Sequence, residues 1–165
     1  MLKITQPLLR LKNRGFTLIE LLVVIAILSV LLVIVLVAIN PARQTKAARD
    51  TQRKADVLTI LNAVGQYFVA NGSFPGALDT VATGSAQTID SGNATLDGPD
   101  FCGDLVPDYV AAFPFDPKKG EGFKFETCDI AGGGYDTGYE ITKSAGDRIT
   151  ISAPQAEDVT ISVSR

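Results

Sequence analysis

The chain lacks histidine and tryptophan altogether, and it has only two cysteines and one methionine in 165 residues. Histidine is the usual general base near neutral pH and the commonest metal ligand, so its absence removes most proton-transfer and zinc chemistry. The sequence also lacks a nucleophile elbow, a phosphate-binding loop and a paired metal-binding motif. Its carboxylates show no pair placed for glycoside hydrolysis. We therefore expect no enzyme activity, no cofactor and no bound metal, which leaves binding and assembly as the classes of function to consider.

Charge is distributed unevenly along the chain. Four basic residues precede a charge-free run from residue 21 to residue 42: Lys3, Arg10, Lys12 and Arg14. The rest of the chain has 11 basic and 18 acidic residues and should repel DNA, so we expect no direct nucleic-acid site. By the positive-inside rule, the amino terminus lies in the cytoplasm and the larger part of the chain is exported.

The apolar run from residue 16 to residue 39 predicts a membrane-spanning helix. Its 24 residues, at about 1.5 Å each, can cross a hydrocarbon core of about 30 Å. A cleaved secretory signal would have an apolar core of about 7–15 residues and an Ala-x-Ala-like site after it, and neither is present. A signal-anchored, exported binding protein remains an alternative.

The residues that lead into this run form a specific pattern: Arg14-Gly15-Phe16-Thr17-Leu18-Ile19-Glu20. A basic leader, a glycine, an aromatic residue and a lone carboxylate in this register resemble the start of a type IV prepilin or a related pseudopilin. The resemblance covers about the first 40 residues. It implies cleavage between Gly15 and Phe16 by a prepilin peptidase, with methylation of the new amine of Phe16. It also implies that Glu20 meets the cleaved amino terminus of a neighbouring subunit and sets the register of assembly.

The resemblance carries expectations about fold, partners and location. It implies an α+β, pilin-like fold, in which a long N-terminal membrane-spanning helix packs through its outer half on a small antiparallel sheet. The expected function is a structural subunit of a type IV pilus-like filament; the alternative is a pseudopilin of a type II secretion or DNA-uptake system. Expected partners are copies of the chain in a helical filament, other pilins, the prepilin peptidase, the inner-membrane assembly machinery and the membrane. The protein would be a single-pass cell membrane protein before it joins an extracellular or periplasmic filament.

Two features qualify the resemblance. The family usually has glycine and proline within the apolar helix, where this chain has Ser29 and Val37, which puts local melting of that segment in doubt. Glu20 also has an alternative interpretation: it could favour the dipole at a helix N-terminus or reach the membrane surface. Thr17 and Glu20 are spaced like a capping box, and Gly15 could simply begin the helix.

Four regions follow from these patterns: a leader at 1–15, a membrane and assembly helix at 16–40, the soluble amphipathic half of the spine helix at 41–71, and a globular head at 72–165. Proline removes a helical hydrogen bond, so Asn40-Pro41 predicts a kink or a short break. The helix should end before Asn71-Gly72.

The second half of the helix has a basic beginning and an apolar stripe. Its first part contains five cations: Arg43, Lys46, Arg49, Arg53 and Lys54. This stretch could meet anionic lipid headgroups or the acidic face of a neighbouring subunit, or it could be a solvated helix face. The apolar stripe that follows is predicted to be core rather than a cofactor groove: Val57, Ile60, Leu61, Val64 and Phe68.

The head is predicted to be a variable, exposed loop at 76–100 followed by a four-stranded antiparallel sheet. The predicted strands are 123–128, 139–143, 148–153 and 159–163, in which odd positions are apolar. Cys102 and Cys128 are predicted to form a disulfide, because an exported chain meets an oxidising compartment and two thiols without histidine cannot close a zinc site. Asn71 and Asn93 match the glycosylation pattern weakly. The aspartates at 97, 100, 104 and 108 do not have EF-hand spacing and are interpreted as solvated acids.

Overall fold

A computed structural model describes residues 15–96, 98–119, 128 and 135–165. It contains two long helices, one short helix and a sheet. In chain order the elements are α1 (Leu18–Ile39), α2 (Pro41–Asn71), a 3-10 turn (Leu78–Thr80), β1 (Ala86–Asp90), α3 (Gly98–Leu105), β2 (Asp136–Lys143), β3 (Ile149–Ala153) and β4 (Ile161–Ser164). The chain divides into two compact units, 1–41 and 42–165.

The predicted interruption at Asn40-Pro41 is confirmed. Asn40 adopts a left-handed backbone with φ 46° and ends α1, and Pro41 is the first residue of α2. Proline suits this first position, because its missing N–H would have no partner inside the helix. The predicted end of the second helix is also confirmed: Gly72 has φ 74°, and its N–H donates to the Phe68 carbonyl.

The head is an antiparallel sheet in the strand order β1-β2-β3-β4, with α2 packed on it. The predicted period of two is clearest in β3, where Ile149, Ile151 and Ala153 are buried. Across the sheet, Ile151 pairs with Ile141 of β2 and with Val163 of β4. On the helix side, Val57, Ile60, Leu61 and Val64 close the same core. The α+β arrangement predicted from the sequence, with the outer half of the spine helix against a small antiparallel sheet, is confirmed.

One part of the head differs from the prediction, and one lies outside the described residues. The segment 76–100, predicted as an exposed loop, contains β1 and begins α3, and it buries Leu78, Val81, Ile89 and Leu96. Strand β1 has a single buried residue, Ile89, and is held instead by its backbone pairing with β2, so it shows no apolar alternation. The predicted strand at 123–128 lies outside the described residues except for Cys128.

Candidate functional site

The start of α1 is held by a capping box. Thr17 is the N-cap, and its side-chain oxygen accepts the N–H of Glu20 at 3.3 Å. Glu20 reaches back: its Oε2 accepts the Thr17 N–H at 2.9 Å and the Thr17 hydroxyl at 2.8 Å. The capping box thereby gives acceptors to the backbone N–H groups of Thr17 and Glu20. The structure therefore shows the capping role that the sequence suggests for Glu20. Both bonds from Thr17 end on Oε2, and Oε1 takes part in neither of them.

No residue of helix α1 is buried within the part of the chain that the structure describes. All of its residues are exposed, and over 22 residues Glu20 is its only charged group. Among the described residues it is the one helix that is long and apolar enough to cross a membrane. Its one other polar side chain, Ser29, donates to the carbonyl of Ile25 at 2.7 Å, so its hydroxyl is satisfied within the helix. Gly15 and Phe16, directly before the helix, are fully accessible to a second molecule.

A cluster of charged side chains joins α2 to two connections of the head. Arg53 of α2 is completely buried, and its guanidinium forms a two-bond pair with Asp116, with distances of 2.6 and 3.1 Å. The same guanidinium donates to Asp50 at 2.7 Å. Asp50 also accepts the backbone N–H groups of Glu157 and Asp158, in the connection between β3 and β4. One buried arginine thus ties together three separate segments of the chain.

The cluster continues to the surface through Glu157. Its carboxylate forms a two-bond pair with Arg49 at 2.6 and 3.0 Å and lies 3.1 Å from the ammonium of Lys118. We call these six residues the Arg53 cluster: Arg49, Asp50, Arg53, Asp116, Lys118 and Glu157. It contains three cations and three anions, so its formal charge is zero.

The charges of the Arg53 cluster stabilise one another. The hydrogen bonds that Arg53 donates to Asp116 raise the pKa of Arg53 above its ordinary value, against the effect of burial. Burial alone would raise the pKa of Asp50 and of Asp116, yet backbone N–H groups and Arg53 hold both below their ordinary value. The hydrogen bonds from Arg49, aided by Lys118, lower the pKa of Glu157 to about 2. All three acids are therefore ionised at neutral pH.

The sequence pattern does not predict this cluster. It favours a basic face that includes Arg49 and Arg53 and meets lipid, a neighbour or solvent, whereas Arg53 is buried in the head. A signal was available, because Arg53 stands four residues before Val57 and so lies on the apolar stripe itself. A charge on a core-facing stripe needs a buried partner of opposite sign.

The other end of the stripe opens into a groove. Phe68, predicted as core, is 40% exposed and stacks on Phe74 with ring centroids 4.5 Å apart. With Val69, Tyr109 and Arg165 it lines an open, mostly apolar groove of about 750 Å³. The core stripe of α2 therefore ends at Val64, one turn before the sequence pattern does.

The cysteine pair and the asparagines have defined structural roles. Cys102 in α3 and Cys128 form the predicted disulfide, with their Cα atoms 5.6 Å apart. The Asn93 amide nitrogen donates to the Thr88 carbonyl at 2.6 Å, and that of Asn71 donates to the carbonyl of Tyr67 at 3.0 Å. Each nitrogen donates two such bonds, and a sugar on it would replace one of its two N–H donors. No group of three carboxylate or thiol side chains converges on a metal position within the described part of the chain.

Comparison with known proteins identifies the N-terminal segment. Residues 10–36 match the prokaryotic N-terminal methylation motif, which begins in the leader and covers Gly15, Phe16, Glu20 and most of α1. The search of curated proteins and the search of solved structures find no match. The matched residues include Thr17 and Glu20 of the capping box and most of the exposed apolar helix. The chain thus carries the N-terminal methylation motif that is the leader signature of type IV pilins and pseudopilins.

Proposed function

We propose that this protein is a structural subunit of a type IV pilus-like filament. The proposal rests on one observation: the matched motif continues into α1. Gly15 and Phe16 are followed, after the N-cap Thr17, by a 22-residue apolar helix in which every residue is exposed. In a membrane such a helix is covered by lipid; in a filament it is covered by the same helix of other copies. An apolar surface of this length has no other cover within the described chain.

Processing is the first step of the proposed function. A prepilin peptidase in the membrane cuts between Gly15 and Phe16, and the new amine of Phe16 is methylated. Removal of residues 1–15 deletes the four leader cations, which would otherwise oppose extraction of the helix from the membrane. The inner-membrane assembly machinery then adds the mature subunit to the filament.

Glu20 has the second role in the proposal. A carboxylate in an apolar surrounding is stabilised by a cation at close range, and the amine of a neighbouring copy's Phe16 supplies one. The pairing selects one axial register among the many that an apolar helix permits. The capping bonds to Thr17 orient the carboxylate at the end of α1 where that amine would arrive.

The experiment compares Glu20→Ala with Thr17→Ala in the native host. Both variants disrupt the capping box, which is worth about 0.5–2 kcal/mol, but only the first removes the carboxylate. We expect Glu20→Ala to be cut before Phe16, to stay in the membrane and to form few or no filaments, because breaking a buried pair costs about 3–5 kcal/mol at each contact. Thr17→Ala should assemble.

Intact mass, membrane fractionation and electron microscopy provide the readouts. Wild-type protein that still begins at Met1, or that is cut elsewhere, would contradict the proposed processing. Normal filaments of Glu20→Ala would remove this residue from the mechanism of assembly, whereas a wild-type protein that forms no filament would favour a signal-anchored exported protein. Secretion and transformation assays on a deletion strain separate a surface pilus from a secretion or DNA-uptake pseudopilus: fibres that vanish on deletion favour the pilus.

A further inference from the structure

The groove at the C-terminal end of α2 surrounds a helical position that has no side chain. Gly65 lies one turn after Leu61 and one turn before Val69, on the same side of the helix. Apart from its chain neighbours and the backbone of its own helix, a Cβ at Gly65 would approach one atom within 4 Å, Nη1 of Arg165 at 3.6 Å. Glycine weakens a helix interior relative to alanine, and here it leaves room beside the apolar side chains of α2.

The apolar lining of this groove is partly exposed. Val69 is 85% exposed and Phe68 is 40% exposed, and Phe74 and Ile149 line the groove with them. Binding pockets are usually lined mainly by apolar side chains and measure about 300–1,000 Å³, a range that includes the volume of about 750 Å³ found here. The groove therefore has the lining and the room to receive an apolar side chain of a second molecule.

Two charged residues determine the orientation of what enters the groove. Arg165 and Asp147 both line it, and neither takes part in the ion pairs that the described residues form. An entering carboxylate is attracted by Arg165 and repelled by Asp147. The groove therefore fits an apolar side chain that has a carboxylate beside it.

The connection between β3 and β4 presents such a pair of side chains. Val159 is 51% exposed, and the exposed Asp158 directly precedes it. The Arg53 cluster holds this connection in place, because Asp50 accepts the backbone N–H groups of Glu157 and Asp158. A surface whose conformation is fixed before contact loses less entropy on binding.

The groove and the Asp158-Val159 pair lie at opposite ends of the packed part of α2. Asp50, which holds the connection, and Gly65, which lies beside Arg165, are 15 residues apart, or about 22 Å along the helix. One molecule therefore cannot fill its own groove with Val159. A contact between two different surfaces of identical molecules is heterologous, and it can repeat to form an open chain of copies.

We propose that Val159 of one copy of this chain inserts into the α2 groove of a second copy, where Asp158 meets Arg165. This inference rests on the proposed filament and names a contact between the heads of its subunits. A second copy offers an apolar side chain, a carboxylate beside it and a position from which the contact can repeat. A small apolar molecule or an unrelated protein is the competing occupant, and the experiments separate these cases.

Gly65→Leu tests the groove without a change of charge. Leucine favours a helix more than glycine does, and its side chain would fill the groove. We expect the filament yield to fall about tenfold or more, while the melting temperature of the protein in detergent micelles stays equal or rises. Gly65→Ala is the matched control, since one methyl group leaves most of the groove open, and it should assemble normally.

Charge reversal tests the pairing of Asp158 with Arg165. Asp158→Lys and Arg165→Glu should each lower the filament yield about tenfold, because like charges then face one another. The double variant should restore assembly. Asp100→Lys is the control, because Asp100 is an exposed acid on α3 that lies outside the contact, and it should leave the yield unchanged.

Cross-linking reports the contact directly. Val159→Cys combined with Val69→Cys should give disulfide-linked dimers and higher multimers in filaments. Thr83→Cys combined with Val69→Cys should not, because Thr83 is exposed in the loop before β1, at the other edge of the sheet. If wild-type protein forms no filaments, the proposed function fails, and multimers of the first cysteine pair in isolated membranes then decide the docking on its own.

Three results would overturn the docking. One is a normal filament yield for Gly65→Leu. Another is a double charge reversal at positions 158 and 165 that repairs neither single defect. The last is the absence of cross-links between positions 159 and 69, which, together with a defect of Gly65→Leu, would assign the groove to a different occupant.

Discussion

At the scale of single residues, Arg53 determines how the head is attached to α2. A buried ion pair gains little over an apolar pair of the same shape, but removing one partner leaves a buried charge without compensation. In the described residues, every buried side-chain nitrogen and oxygen has a hydrogen-bond partner. Arg53 supplies partners to Asp116 and to Asp50 at once, so its loss would leave two buried carboxylates short of a donor.

We therefore expect Arg53→Met to destabilise the protein by about 3–5 kcal/mol. Lys54→Met is the control: Lys54 is the next residue, is exposed, and should change the free energy of unfolding by less than about 0.5 kcal/mol. Thermal unfolding of the full chain in detergent micelles, followed by circular dichroism, measures both. Equal melting temperatures for the two variants would show that the cluster contributes no stability.

At the scale of elements, the sequence predicted those parts whose stability comes from apolar periodicity. Helix α2, β2 and β3 bury side chains at regular spacing, and β4 buries Ile161 and partly buries Val163; each was found near its predicted bounds. Strand β1 was not predicted, because it is held by backbone hydrogen bonds to β2 and contributes one buried residue. The residues of β1 and β2 that pair are about 50 positions apart, so no pattern within either segment predicts the pairing.

Within the candidate site too, contacts between residues close in sequence could be predicted, and contacts between distant residues could not. The register of Gly15, Phe16 and Glu20 is local, so it could be found by inspection of the sequence. In the Arg53 cluster, Asp116 and Glu157 lie 63 and 108 positions from their arginine partners on α2, so only the folded chain brings them together. A lone arginine on an apolar stripe indicates that a partner exists without identifying it.

Strand β2 offers a test of how closely the head is packed at this cluster. Gly138 has φ 75°, and a Cβ at this position would lie 2.9 Å from Cβ of Asp116. Gly138→Ala should lower the free energy of unfolding by about 1–3 kcal/mol through backbone strain and through displacement of Asp116 from Arg53. Gly146→Ala is the control, since a Cβ there meets no atom within 4 Å. Equal denaturant midpoints for the two variants would refute the close approach.

At the scale of the whole molecule, stability should depend on pH through the acids of the Arg53 cluster. The folded pKa values of Asp50, Asp116 and Glu157 are depressed, so the folded state binds their protons less readily than the unfolded state does. Their contribution is full above the ordinary value near 4.5 and is lost as the pH falls toward about 2, the pKa of Glu157. Asp56 acts in the opposite sense, because burial raises its pKa.

We expect a lower melting temperature at pH 3 than at pH 7. The three acids with a lowered pKa destabilise the fold at pH 3, and their combined effect should exceed the opposite effect of Asp56. Arg53→Met should show a smaller difference between these two pH values, since it has already lost the partner that depresses Asp50 and Asp116. A melting temperature that is unchanged at pH 3, measured in the same detergent and at the same ionic strength, would contradict the assignment.

In the proposed filament, the capping box at the start of α1 would lower the entropy that a subunit loses on joining. Both bonds that Glu20 accepts from Thr17 end on Oε2, while a carboxylate offers about four lone-pair sites on its two oxygens. An incoming amine can therefore bind Oε1 while the first turn stays capped. Ordering a residue costs about 1–2 kcal/mol of backbone entropy, and here that loss occurs before the subunit meets its neighbour. A subunit with this geometry would be added with its helix end already in its final conformation.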